Sequence, residues 1–197
     1  LQHIIGKNHA KYFDEKGWLY FTRESFDLLY PSYGDTYPMF MGAIGMTYEQ
    51  AGHGMAGLGI INDEDIELTL TDRIAHHTMT GLSTVEIASQ NVKRINDEFH
   101  KFFKNDNLKT KSYVLKGNPD KILALTEMLE KHEIQYGYAE GGTVRGHYYT
   151  TGKNGKIDAD GALVIHTDQP KGKMVKVLFE PETFLSTPVT YDITAWS

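Results

Sequence analysis

A short stretch of small and apolar residues, 42–48, leads directly to one carboxylate, Glu49. The stretch reads GAIGMTY and predicts a buried strand that delivers this carboxylate at its end. Partial desolvation in a pocket raises the pKa of a carboxyl group, as a general base that deprotonates a metal-bound water requires. Glu49 is therefore the first candidate for chemistry. The alternative is a solvated glutamate at a strand end with no chemical role.

A tyrosine-rich segment comes shortly before this strand. Residues 30–38, YPSYGDTYP, contain two prolines and a glycine, which predict an irregular aromatic loop. Together, the segments FDLLYPSYGDT (26–36) and GAIGMTYE (42–49) resemble the zinc carboxypeptidases of the carboxypeptidase A family, and the large bacterial members most of all. The resemblance covers residues 1–104.

The resemblance implies a role for three residues. Glu49 matches the glutamate that ends a late strand of the family and serves as general base and acid. Tyr30 is the first choice, and Tyr33 the second, for the loop tyrosine that closes over the C-terminus of a peptide substrate. In the full-length enzyme, zinc would lower the pKa of its bound water, and Glu49 would take the proton and pass it to the leaving amine.

The zinc ligands that the resemblance implies are missing from this sequence. The family holds zinc through H-x-x-E and a later histidine, all upstream of the glutamate, whereas this chain contains neither H-x-x-E nor H-E-x-x-H. Its nine histidines are scattered, and His9 is the least implausible ligand among them. A catalytic zinc needs three converging protein ligands. We therefore expect no metal site in this chain, zinc only in the full-length enzyme, and no activity from the fragment alone.

The elements expected around Glu49 are short strands followed by a long helix. Residues 1–60, rich in aromatics and glycine, predict strands at 18–21 and 42–48 joined by loops. Residues 72–104 predict one helix, capped by Thr71 or Asp72, with Gly81 as the place for a kink. Its predicted buried stripe consists of Ile74, Leu82, Val85, Ala88, Val92, Ile95, Phe99 and Phe102.

The remainder of the chain predicts a second α/β unit, residues 105–197. A strand at 112–116, a helix from Asn118 and Pro119 to about His132, and a strand at 134–138 form a βαβ-like step. A hairpin or mobile loop at 141–161, a strand at 162–165 and a short helix at 174–179 complete it. The fold class expected for the whole chain is α/β: part of a carboxypeptidase-like mixed sheet with a long helix, then this accessory unit.

Composition excludes several other classes of protein. The chain has 197 residues, 40% of them apolar, enough for a sizeable core. Acidic residues outnumber basic ones, 26 to 20, so nucleic acid is not an expected partner. No apolar run is long enough for a membrane span or a signal peptide. The chain reads as cut from a longer protein, and its large relatives suggest export to the periplasm or beyond.

Two functions of different classes remain open. The first is a piece of a metallocarboxypeptidase that hydrolyses C-terminal peptide bonds. The second is a non-catalytic peptide-binding or scaffolding module, or a degenerate carboxypeptidase, in which Glu49 and the tyrosines only line a groove. Because truncation of a sheet exposes apolar edges, a homodimer through those edges is also expected.

Overall fold

The computed structural model describes residues 1–22, 30–50, 57–148 and 150–184. The chain divides into two compact units, Leu1–Lys101 and Phe102–Ser197. Both combine helices with small antiparallel sheets, so the expected α/β class is confirmed. Within the described ranges, no helix is both long and apolar enough to cross a bilayer.

The first unit begins with a helix where short strands were predicted. Helix α1 spans Gln2–Lys16 and ends at Gly17, whose left-handed φ of 66° suits a glycine C-cap. The strand predicted at residues 18–21 is wrong. Trp18 and Tyr20 instead turn back onto Phe13 of α1, with ring centroids 5.2 and 5.9 Å away. The aromatic residues that suggested strands therefore serve as the packing at the end of a helix.

The aromatic loop contains one helical turn, and the segment after it is extended but unpaired. Helix α2, Tyr37–Phe40, corrects the prediction that residues 30–38 are irregular throughout, since Pro38 falls in its first turn, where proline is tolerated. The strand predicted at residues 42–48 is also wrong. Residues 44–50 make no backbone–backbone hydrogen bond with any described residue.

A hairpin that the sequence did not predict leads into the long helical region. Strands β1 (Gly59–Ile61) and β2 (Glu67–Thr69) pair antiparallel, and helix α3 (Leu70–Gln90) starts directly after β2. Thr69 is the N-cap, because its hydroxyl accepts from the Asp72 N–H while the Asp72 carboxylate accepts from the Thr69 N–H. The predicted caps, Thr71 and Asp72, are therefore wrong.

The long helix is broken at Asn91 and not at Gly81. Helix α4 spans Val92–Phe102, and Gly81 lies inside α3 with open space around it. Asn91 Nδ2 donates to the Ile87 carbonyl oxygen at 2.9 Å, a local bond by which asparagine competes with the regular helical pattern.

The second unit contains the predicted βαβ-like step in split form. Strand β3 (Ser112–Leu115), helix α5 (Pro119–Lys131) and strand β4 (Gly137–Tyr138) lie where the sequence places them, and Asn118 is the N-cap of α5. Strands β5 (Thr143–Tyr148) and β6 (Lys153–Asp158) form the hairpin, followed by strand β7 (Leu163–His166) and helix α6 (Gly172–Phe179). The strand order is β3-β7-β4, and β7 runs antiparallel to both neighbours.

Strand β4 is shorter than predicted because the backbone of Gln135, at its approach, is hydrogen-bonded to the side chain of Gln169 and not to a neighbouring strand. Gln169 Oε1 accepts from the Gln135 N–H at 2.8 Å, and Gln169 Nε2 donates to the Gln135 carbonyl at 2.9 Å. Gln169 is 93% buried, so removing these bonds would leave polar groups unsatisfied. The side chain thus joins the approach to β4 to the segment after β7.

Gly172 at the start of α6 generates a stability prediction. A Cβ there would meet the Thr167 carbonyl oxygen and Asn105 Nδ2, whereas a Cβ at Gly137 would meet nothing within 4 Å. We expect Gly172→Ala to lower the free energy of unfolding in urea by about 1–3 kcal/mol, as overpacking does. The matched control, Gly137→Ala, should change it by less than about 0.5 kcal/mol. Equal effects of the two substitutions would contradict this packing.

Candidate functional site

Glu49 lies in an extended segment whose side chains alternate between two sides. From residue 46 to residue 50 the exposure alternates: Met46, Tyr48 and Gln50 are half-buried, whereas Thr47 and Glu49 are exposed. Successive side chains of an extended chain point to opposite sides, so the Glu49 side chain points away from the side that Tyr48 and Gln50 face. The desolvating pocket expected around this carboxylate is not formed by the described residues.

Tyr48, the residue before Glu49, is hydrogen-bonded to helix α3. Its hydroxyl lies 2.8 Å from Thr84 Oγ1, and His9 Nε2 lies 3.1 Å from the same oxygen atom. The Thr84 hydroxyl donates to the Thr80 carbonyl at 2.8 Å, and the Tyr48 hydroxyl also lies 3.7 Å from the Met46 sulfur. The His9 and Tyr48 rings also meet edge to face, with centroids 4.9 Å apart. Tyr48 is therefore held by a hydrogen bond and by a ring contact.

Gln50, the residue after Glu49, is hydrogen-bonded to the same helix. Its Oε1 lies 2.8 Å from His76 Nδ1, so the neutral imidazole donates from that nitrogen. His76 is only 7% exposed, and its ring lies 4.4 Å from Trp18 and 5.4 Å from Phe13. Burial lowers the pKa of His76 below its ordinary 6.5, and the nearby Asp72 carboxylate opposes this only in part.

The aromatic loop is tied to the outward side of the same segment. Thr47, which shares that side with Glu49, donates its hydroxyl to Asp35 Oδ2 in the loop. This bond is the main reason that the pKa of Asp35 lies below its ordinary value. Gly45 is buried against the Asp35 carbonyl oxygen, where a Cβ would not fit. The loop and the segment that ends at Glu49 therefore form one local structure.

The two predicted tyrosines lie together in this loop. The rings of Tyr30 and Tyr33 pack edge to face with centroids 5.4 Å apart, Tyr30 half-buried and Tyr33 48% exposed. A backbone bond from the Tyr33 N–H to the Tyr30 carbonyl, 3.2 Å, fixes the turn between them. The pair presents an aromatic surface on the loop that Asp35 joins to the Glu49 segment.

A metal centre is not assembled by the part of the chain that the structure describes. There, no three histidine, aspartate or glutamate side chains converge as ligands. His9 and His76 are both engaged with neighbouring side chains and support Tyr48 and Gln50. These positioning residues were not predicted from the sequence, although the alternation from Met46 to Gln50 is a signal that could have indicated them.

The lowered pKa of His76 predicts a pH dependence of stability. In the unfolded chain, His76 binds a proton near pH 6.5, whereas in the folded chain its imidazole stays neutral to a lower pH. The contribution of His76 to the free energy of unfolding is therefore fully present above pH 6.5 and is lost as the solution is acidified. In urea unfolding between pH 7.5 and 5, we expect the decline to be shallower in His76→Gln than in the wild type. The exposed neighbour provides the control: His77→Gln should retain the wild-type slope, and a loss of slope there instead would contradict the assignment.

Comparison with protein-family models, with curated proteins and with solved structures finds no match for this chain. The functional interpretation therefore rests on the residues of the Glu49 segment and of the tyrosine loop, and on how the structure holds them.

Proposed function

We propose that this chain contributes the general base, Glu49, of a zinc-dependent metallocarboxypeptidase, a hydrolase of C-terminal peptide bonds. The observation that supports this most is the way in which Glu49 is held. Its neighbours Tyr48 and Gln50 are both bonded to helix α3, so the carboxylate points away from the helix on a fixed backbone.

A general base has to be accessible to the reacting water and also fixed in place. Exposure of Glu49 leaves it accessible to water, and the two bonds on either side of it fix its backbone; the desolvation that a general base also needs would have to come from parts of the protein outside this chain. A reactive group that the fold already holds in position reacts faster, because the entropy lost in orienting it was lost during folding and not in the reaction. A solvated surface glutamate with no chemical role would not need the residues before and after it to be hydrogen-bonded to a buried or half-buried partner. Here both neighbours of Glu49 are bonded in this way, and one of the two partners packs against aromatic rings.

The tyrosine loop supports the same function. Tyr30 and Tyr33 lie on a loop that the Asp35–Thr47 bond joins to the outward side of the Glu49 segment. An aromatic side chain there can contact a peptide terminus and exclude water from it. In this proposal Tyr30 is the first choice for that contact and Tyr33 the second.

The described residues do not fit a zinc ion by themselves, because they bring no three ligands together. In this proposal the ligands come from parts of the protein outside this chain. The chemistry assigned to the chain is proton transfer: Glu49 accepts a proton from the water that attacks the scissile carbonyl, then donates it to the leaving amine nitrogen. Residues 105–197 have an accessory role.

The proposal is tested by replacing Glu49 with glutamine in the longer, zinc-containing protein. Glu49→Gln keeps the size and the hydrogen-bonding capacity of the side chain but removes the base, so we expect turnover of a peptide substrate to fall at least about 100-fold. Thermal stability should stay near that of the wild type, because the side chain is exposed.

The matched control is Glu64→Gln, an exposed glutamate in the β1–β2 turn. It should retain full turnover. Near-normal turnover of Glu49→Gln would refute the catalytic role. A wild-type protein that binds peptides with a free C-terminus but hydrolyses none of them would favour the non-catalytic binding module instead.

A further inference from the structure

A groove of about 440 Å³ opens beside strands β4 and β7 of the second unit. This volume lies within the range of about 300–1,000 Å³ that small-molecule sites occupy. The residues that line it all come from two short stretches of the chain, 135–139 and 164–169. We call it the β4–β7 groove; it lies within a single unit and shares no residue with the Glu49 segment or the tyrosine loop.

The groove lies where β7 separates from β4 while it stays paired with β3. Gly137 of β4 pairs with Val164 of β7, and by the same register the pair two residues on would be Gln135 and His166. Instead, the His166 carbonyl accepts from Gln169 Nε2 at 2.6 Å, and the Gln169 side chain also bonds to the Gln135 backbone at 2.8 and 2.9 Å. On its other side, β7 remains paired with β3 as far as His166. A side chain therefore lies between the two strands where a ladder bond would otherwise hold them together.

Hydrogen bonds from buried side chains hold the walls of the groove in place. Gln169 is only 7% exposed, and its amide is used on both of its polar atoms. Thr167, 1% exposed, donates its hydroxyl to the Thr110 carbonyl at 2.8 Å and so ties the end of β7 to the start of β3. The His166 ring is held as well, since its Nδ1 lies 2.7 Å from Ser112 Oγ. A site whose walls are fixed before binding loses little conformational entropy when a ligand enters.

Gly137 leaves space in the groove although its backbone does not require glycine. Its φ lies outside the left-handed region, and a Cβ there would meet nothing within 4 Å. Glycine weakens a strand, and in a strand it often marks a place where a ligand or another backbone approaches closely. Its neighbours Tyr136 and Tyr138 are, by contrast, residues that favour strands. The glycine therefore costs strand stability and gives room beside Val164.

The charge of the lining favours a cationic ligand. Among the described residues that line the groove, Asp168 is the one with a formal charge at neutral pH, and it forms no salt bridge with any described residue. An anionic ligand would be repelled by this carboxylate and would find no opposite charge in the lining. An ammonium group would instead donate a charge-assisted hydrogen bond to it, which is stronger than a bond between neutral groups.

We propose that the β4–β7 groove binds an organic ammonium ion, a primary amine carried on an apolar group. The ammonium group donates to the Asp168 carboxylate, and the apolar group packs against Ala139, Val164 and the space beside Gly137. Few polar groups in a mostly neutral lining are typical of sites that fix the orientation of a small ligand. This site does not depend on the function proposed for Glu49.

Calorimetric titration of the 197-residue chain with three probes of similar shape tests the proposal. At neutral pH phenethylamine is a cation, phenethyl alcohol is neutral and hydrocinnamate is an anion. We expect phenethylamine to bind saturably and the alcohol to bind at least about tenfold more weakly, because a hydrogen bond between charged groups contributes at least that factor. Hydrocinnamate should bind more weakly still. Equal affinities for the amine and the alcohol, tighter binding of hydrocinnamate, or no saturable binding of the amine would each overturn the proposal.

Two exposed aspartates of the same unit provide matched variants. Asp168→Asn should weaken binding of phenethylamine at least about tenfold and leave the affinity for the alcohol within about twofold, which also shows that the groove is still folded. Asp160 does not line the groove, so Asp160→Asn should bind both probes like the wild type. Equal effects of the two substitutions on amine binding would contradict the role of Asp168.

Gly137→Val tests whether the space beside Val164 is the binding site. Valine suits a strand, and its side chain would fit the fold but occupy the groove. We expect this variant to unfold at the same urea concentration as the wild type or a higher one, and to lose measurable binding of phenethylamine. Wild-type affinity in the folded variant would overturn the proposal, because the ligand would then bind elsewhere.

Discussion

The structure around Glu49 depends on the attachment of one extended segment to one helix. Tyr48 reaches Thr84 and Gln50 reaches His76, two residues two turns apart on α3. An extended chain fixed at alternate residues has little freedom left at the residue between them. The direction of the Glu49 carboxylate, and the side of the segment on which the tyrosine loop is tied, both follow from this constraint.

The same helix explains why the first unit has an unusual distribution of polarity. Contacts with α1 and with the Glu49 segment use its polar side chains, among them Ser83, Thr84 and Glu86. Ile87 is buried, whereas other apolar side chains of α3, among them Leu82 and Val85, face outward in a stripe of the width that other helices bury. Helix α3 therefore buries polar as well as apolar side chains and leaves a further apolar stripe exposed.

Local signals predicted the second unit well and the first unit poorly. Asn118 followed by Pro119 is a cap followed by a first-turn proline, and both features depend only on adjacent residues, so α5 was placed correctly. The apolar period of α3 was also recognised, but a period does not say what the stripe packs against. Leu82 and Val85 were expected in a core and are exposed. Asn91 broke the helix through a side-chain bond that propensity does not reveal.

The candidate site shows the same division between local and distant information. Residue type and order indicated Glu49, and the family resemblance indicated Tyr30 and Tyr33. The support of the Glu49 segment comes from residues distant in sequence, His76 and Thr84, which spacing alone cannot place. The central claim is that the Glu49 carboxylate faces the reacting water. A crystal structure of the longer protein with zinc bound tests it most directly: the account predicts a Glu49 oxygen about 2.6–3.2 Å from the metal-bound water. A Glu49 side chain in bulk solvent, with another carboxylate beside that water, would contradict it.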